Sequence, residues 1–181
     1  EEAPRPQLGK FILEGSKPGA VAASVWFSHK LIPLDQDGYG RQLRILCDIA
    51  REFDSKVTSR RRVRSLYRPH TNIVCLIIED ESVRSLSSLN ALTEHLAVRF
   101  GVRDVLSIQV YDYLVSRTTM ATELPLVRQD EYLQSLEQDA SSVAVLRLVF
   151  MNRWVADKEA GGKTYLDDFL DRLETAADEW I

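Results

Sequence analysis

The run Ile73-Val74-Cys75-Leu76-Ile77-Ile78 is apolar at every position and rich in β-branched residues. No polar alternation leaves one face for water, so the run predicts a strand covered on both faces, which requires further layers of structure around a sheet. A second run of this kind extends from Val143 to Phe150 and is interrupted only by Arg147. Helical spacing appears elsewhere. Leu86, Leu89, Leu92, Leu96 and Val98 to Phe100 predict a helix ended by Gly101, and Tyr165, Phe169, Leu170 and Leu173 predict an amphipathic closing helix after Gly161-Gly162. Ile108, Val110, Tyr111, Tyr113 and Val115 predict a further strand, whereas Leu124 to Asp139 has no decisive pattern. The order predicts an α/β layer structure, with helices on one face of a sheet of about three or four strands.

Upstream of the first strand the pattern is helical only. Val21, Val25, Trp26 and Leu31 recur near helical spacing between Ala20 and Ile32, with Pro18 at the start, and predict a closely packed helix. Pro33 and Asp37-Gly38 break the chain, after which Leu43, Leu46, Cys47, Ala50 and Phe53 form the apolar stripe of a second helix. These two helices have little sheet of their own to lie on. Residues 1–57 are therefore expected to belong to a larger body outside this chain, and residues 58–181 to form the sheet domain.

Charge and composition exclude several chemistries. With 23 basic and 27 acidic residues the net charge is -4, which offers nothing to a nucleic-acid backbone. Cys47 and Cys75 have no spacing for a disulfide framework or a zinc site, and a reducing compartment fits. No apolar run is long enough to span a membrane and the start is not a signal peptide, so a cytoplasmic protein without a membrane partner is expected. His29, His70 and His95 are scattered without metal-ligand spacing, and no nucleophile elbow, Walker loop or dinucleotide fingerprint occurs. Arg60, Arg61, Arg62 and Arg64 fall between Lys56 and Arg68, where an exposed turn or hairpin edge is expected. Such a charge run reads as a solvated face before it reads as a phosphate site.

Arg147 is different, because period two places it beside Val145 and Val149 on one face of a strand. If both faces are covered, an unpaired guanidinium there is costly and requires an anion. Either a protein carboxylate or a ligand carboxylate satisfies that requirement, and its planar fork suits both. The turn Glu14-Gly15-Ser16-Lys17-Pro18-Gly19 leads directly into a helix, so Ser16 and nearby backbone amides serve either as a cap or as a phosphate seat.

Longer stretches carry a family resemblance. Phe11-Ile12-Leu13-Glu14-Gly15-Ser16-Lys17-Pro18-Gly19-Ala20 is followed by Ala22-Ala23-Ser24-Val25-Trp26, His29-Lys30, Pro33-Leu34 and Gly38-Tyr39-Gly40. Together they resemble the segment after the cofactor lysine in group II pyridoxal-phosphate-dependent amino-acid decarboxylases, bacterial tyrosine decarboxylases and their aspartate- and glutamate-acting relatives among them. Arg68-Pro69-His70-Thr71-Asn72-Ile73-Val74 is similar to the start of that family's small-domain sheet, and Val145-Leu146-Arg147-Leu148-Val149-Phe150-Met151-Asn152 to its late strand. The resemblance implies the carboxy-terminal part of a fold-type I, aspartate aminotransferase-like enzyme: two helices of the large-domain and interdomain region, then a small α/β domain. It implies that Arg147 binds the substrate α-carboxylate and that Gly15 and Ser16 lie near the phosphate of pyridoxal 5'-phosphate.

The same resemblance implies what these residues do not supply. The family's lysine stands in a histidine-lysine motif upstream of the Glu-Gly-Ser turn; Lys10 and Lys17 are too close to that turn, and His29-Lys30 follows it inside a helix. The chain is then expected to hold no catalytic residue itself. It would act with an amino-terminal decarboxylase chain or fragment that carries the lysine, in a dimer of such assemblies. The rival expectation is a pseudo-enzyme or regulatory module that keeps the fold for partner binding alone. Met151, Asn152 and Trp154 suggest an apolar wall for the amino-acid substrate, with an aromatic side chain favoured over an acidic one.

Overall fold

The computed structural model of the chain describes residues 18–101, 113–157 and 162–180. Two compact units, Glu1–Gln42 and Leu43–Ile181, divide it. In the second unit β1 (Val63–Ser65), β2 (Ile73–Ile78), β3 (Ser116–Ala121) and β4 (Ser142–Val149) form one antiparallel sheet in the order β1-β2-β4-β3. The two apolar runs of the sequence are thus the central pair. The strand expected around Ile108 to Val115 differs: residues 108–112 lie outside the described residues, Tyr113 and Val115 precede the strand, and β3 is Ser-Arg-Thr-Thr-Met-Ala. β3 is an edge strand whose Arg117, Thr119 and Ala121 are exposed, so it carries no apolar run to read.

Register sorts the sheet residues onto two faces. Leu76, Ala144 and Leu146 share one face with Arg117, and Cys75, Val145 and Arg147 share the other with Ser116. Helix α3 (Leu86–Phe100) lies on the first face, where its Glu94 pairs with Arg117. The end of α2 (Tyr39–Val57) and α6 (Tyr165–Asp178) complete that layer through aromatic packing. Phe53 is fully buried, with ring centroids 5.3 Å from Phe150 and 6.2 Å from Phe169, and Phe169 also meets Phe100 at 5.7 Å. Truncating a ring in such a site typically costs about 3–5 kcal/mol. Ser85 caps α3 by accepting from the Ser88 amide at 3.2 Å, and Thr164 caps α6 by accepting from the Asp167 amide at 3.2 Å.

The segment without a decisive sequence pattern covers one end of the opposite face. It forms the short helices α4 (Pro125–Arg128) and α5 (Glu131–Ser135), with Asp130 capping α5 through the Leu133 amide at 3.0 Å. Asp130 also receives Arg64, which sits opposite Ile77, through two bonds of 2.8 and 2.9 Å. Only 7% of the Asp130 side chain is exposed, so this bidentate pair is the buried anchor of α5 on the sheet.

Three of the four arginines after α2 are tied into ion pairs rather than left as a bare solvated face, and Arg61 is exposed. Arg60 pairs with Asp171 and Glu174, Arg62 with Asp80 and Asp178, and Arg64 with Glu79 as well as Asp130. Lys56 reaches Asp167 at 3.0 Å. The acidic side of α6 is therefore fastened to the end of α2 and the loop beyond it.

In the first unit, α1 (Gly19–Leu31) forms as expected but is not closely packed: none of its residues is buried, and Trp26 is 62% exposed. The following turn is tied by Asp35, whose carboxylate accepts from the amides of Asp37 and Gly38 at 3.0 and 2.8 Å. A Cβ at Gly38 would fall 2.0 Å from the Pro33 carbonyl oxygen, so only glycine fits there.

Three α6 carboxylates are held below the usual range. The Thr164 hydroxyl lowers Asp167 against its burial, with help from Lys56. The Tyr113 hydroxyl lowers Asp168, with help from Arg172, and Lys163 lowers Asp171, with help from Arg60. A carboxylate with a depressed folded-state pKa contributes stability that is fully present above its unfolded value, about 4, and is lost as pH falls through the folded value. Thermal melting followed by circular dichroism should therefore show a nearly constant midpoint from neutral pH to about 5 and a progressive drop below about 4. A midpoint that holds steady down to about pH 3 would contradict this ionic seam.

Candidate functional site

Burial along β4 stops abruptly: Val143 to Leu146 are buried, whereas Arg147 and Val149 are exposed. The covering layer on their face ends here, so the premise that both faces enclose Arg147 does not hold. An exposed guanidinium keeps its hydration and needs no compensating anion to be tolerated. Among the described residues no carboxylate pairs with it, so the protein-ion-pair alternative finds no partner there.

The Arg147 guanidinium is nevertheless organised. Register places Cys75, Arg147 and Ser116 in one row across β2, β4 and β3. Arg147 Nε donates to Ser116 Oγ at 3.1 Å, and the same hydroxyl donates to the Arg147 carbonyl oxygen at 3.0 Å. On the other side Cys75 Sγ is hydrogen-bonded to Tyr67 Oη at 3.6 Å. Burial first, and the Cys75 contact second, push the Tyr67 hydroxyl up to about 12. Burial likewise raises the Cys75 thiol, against the pull of Tyr67 and the positive charge of Arg147. Both neighbours are therefore neutral near pH 7 and leave the positive charge uncompensated.

At the end of β4 an apolar pocket of about 630 Å³ opens, mainly on the side of the sheet packed by α2 and α6 rather than on the face that carries Arg147. Its walls include Phe53, Leu148, Val149, Phe150, Tyr165 and Phe169, and Met151, Asn152 and Trp154 line it from the segment after β4. Asn152 Oδ1 accepts from the Trp154 amide at 3.0 Å, opening the 3-10 turn Arg153–Ala156, and the Arg153 guanidinium lies over the Trp154 ring. Met151, Asn152 and Trp154 line this pocket, whereas neither Arg147 nor Ser116 does. Gly15 and Ser16, the expected phosphate seat, lie outside the described residues. No group of metal-ligating side chains occurs among the described residues, and no described helix is long and apolar enough to cross a membrane.

The sequence singles out Arg147 but not its partner Ser116, nor Cys75 beside it and the Tyr67 that Cys75 contacts. Cross-strand register brings them together, and no local spacing encodes it.

The two thiols should differ accordingly. Cys75 is buried with a raised pKa and Cys47 is half-buried in α2, so a disulfide-exchange reagent at mildly alkaline pH should titrate Cys47 in the folded protein and Cys75 only on unfolding. Equal rates for both in the folded state would contradict the closed Tyr67–Cys75 contact.

No family model matches the chain. Curated relatives do. An L-tyrosine decarboxylase of Enterococcus faecalis is 27% identical over 188 residues, covering 95% of this chain and 29% of the relative. That of Levilactobacillus brevis is 28% identical over 183 residues, 93% of this chain and 28% of the relative. That of Enterococcus faecium reaches 31% identity over 126 residues, 64% of this chain and 20% of the relative. The chain thus spans less than a third of the length of these proteins. Among solved structures, the glutamate decarboxylase domain of diaminobutyrate-pyruvate transaminase and L-2,4-diaminobutyrate decarboxylase from Vibrio parahaemolyticus superimposes with a TM-score of 0.54 at 13% identity, over 94% of this chain and 28% of that one. In sequence the chain is similar to the carboxy-terminal part of bacterial L-tyrosine decarboxylases, and in fold to part of a group II decarboxylase domain.

Proposed function

We propose that this chain acts as the carboxy-terminal part of an L-amino-acid decarboxylase and supplies the cation that holds the substrate's α-carboxylate. The observation that carries this reading is the exposed Arg147 guanidinium, flanked by neutral groups, in a chain whose relatives are named L-tyrosine decarboxylase. A guanidinium fork binds a carboxylate through parallel charge-assisted bonds, fixing orientation as well as charge. The exposed apolar side chains that follow β4, Met151 and Trp154, support an aromatic, tyrosine-like substrate over an acidic one.

The described residues do not build a seat for the cofactor by themselves. Lys56 and Lys163 are engaged by Asp167 and by Asp171, and Lys30 lies over the Trp26 ring. Pyridoxal phosphate, when bound, accepts the electron pair released as the carboxylate departs. This chain's part is to bind and orient that carboxylate, with Gly15 and Ser16 close to the cofactor phosphate. Activity then depends on polypeptide carrying the cofactor lysine, in a cytoplasmic dimer of completed units.

In that assembly residues 1–57 complete the large domain and residues 58–181 form the small one. The exposed apolar side chains of α1, Val21, Val25, Trp26, Phe27 and Leu31, support burial against such a body. A purely regulatory module has no evident use for a cation left open on β4.

In the complete enzyme, Arg147→Lys should raise KM for L-tyrosine about ten- to a hundredfold, because a point charge replaces a two-pronged fork. The melting temperature should stay unchanged, since Arg147 is exposed and makes no ion pair with a described carboxylate. A lowered melting temperature with an unchanged KM would assign Arg147 to structure instead.

A further inference from the structure

A guanidinium can present two edges to a carboxylate: the edge formed by Nε with one terminal nitrogen, or the edge formed by both terminal nitrogens. Here the first edge is engaged. Ser116 Oγ lies 3.1 Å from Arg147 Nε, while the hydroxyl proton is directed to the Arg147 carbonyl oxygen at 3.0 Å. The two bonds close a small ring between residues that are direct partners in the β3–β4 register, so strand pairing rather than a loop sets their geometry.

We propose that Ser116 is the positioning residue of the carboxylate clamp, occupying Arg147 Nε so that the substrate carboxylate is taken through the two terminal nitrogens alone. This inference rests on the reading of Arg147 as that clamp.

Three features support it. An exposed arginine otherwise samples many rotamers and loses that freedom on binding; anchoring at Nε removes part of the loss in advance. Ser116 is uncharged and acts on Nε as an acceptor without cancelling the guanidinium charge, as a carboxylate there would. On the opposite side of the row Cys75 is buried and bonded to Tyr67, so no second acceptor from β2 competes for the terminal nitrogens. A hydroxyl at position 116 is therefore specific in kind, and threonine can reproduce it on an edge strand.

The test uses the complete, pyridoxal-phosphate-loaded enzyme with two probes, L-tyrosine and its decarboxylated amine, tyramine, which lacks the carboxylate. Ser116→Ala should raise KM for L-tyrosine about three- to tenfold, leave the inhibition constant of tyramine and the melting temperature unchanged, and be restored by Ser116→Thr. An unchanged KM in Ser116→Ala, an equal loss for tyramine, or a failure of Ser116→Thr to restore binding would overturn the assignment. Arg147→Lys, run in parallel, separates the two claims. If it weakens L-tyrosine binding while Ser116→Ala does not, the positioning role falls and the clamp stands; if Arg147→Lys leaves KM unchanged, the clamp itself falls.

Discussion

The antiparallel pairing of β2 with β4 is the constraint on which the rest of the second unit depends. Both strands are apolar on both faces through their middle, so the pair is stable only where a layer covers each side. The register from Ile73↔Val149 to Leu76↔Leu146 then determines which residues enter the core and which leave it. A slip of one residue would carry Arg147 to the face packed by α3 and α6. In the observed register it emerges where the opposite layer, formed by α4 and α5, has ended.

Charge is distributed to match. Arg60, Arg62 and Arg64 are engaged by the carboxylates of α6, β2's C-terminal loop and the α5 cap, and those contacts tie distant segments together. Arg147 carries the same side chain but is bracketed by Ser116 and by the Tyr67–Cys75 pair, none of them anionic near neutral pH. Arg60, Arg62 and Arg64 bind the fold together, whereas Arg147 pairs with no carboxylate among the described residues. A neighbouring carboxylate would compete with any anion for Arg147.

Much of this fold is legible from local pattern. The β2 run, the α3 stripe with its glycine end, and the Leu170–Leu173 stripe of α6 all appear where hydrophobic period places them. What escapes is set by distant residues. β3 is a polar edge strand with no run of its own, and α5 is held by Asp130, whose partner Arg64 lies 66 positions away. The partners of Arg60 are just as remote, with Asp171 standing 111 positions later, so a paired seam looks like a bare charge run. At the site, period two identifies the strand and the face of Arg147 but not the point where the covering layer stops. That point decides whether its charge is buried or offered.

The role proposed for Arg147 is to receive a carboxylate on this face of the sheet. The most direct measurement is a crystal structure of the complete enzyme with a non-reacting carboxylate analogue of tyrosine bound. The analogue's carboxylate should lie within hydrogen-bonding distance of the two terminal nitrogens of Arg147, with Ser116 still on Nε. An analogue whose carboxylate binds elsewhere, with Arg147 paired instead to a protein carboxylate supplied by the rest of the enzyme, would contradict it.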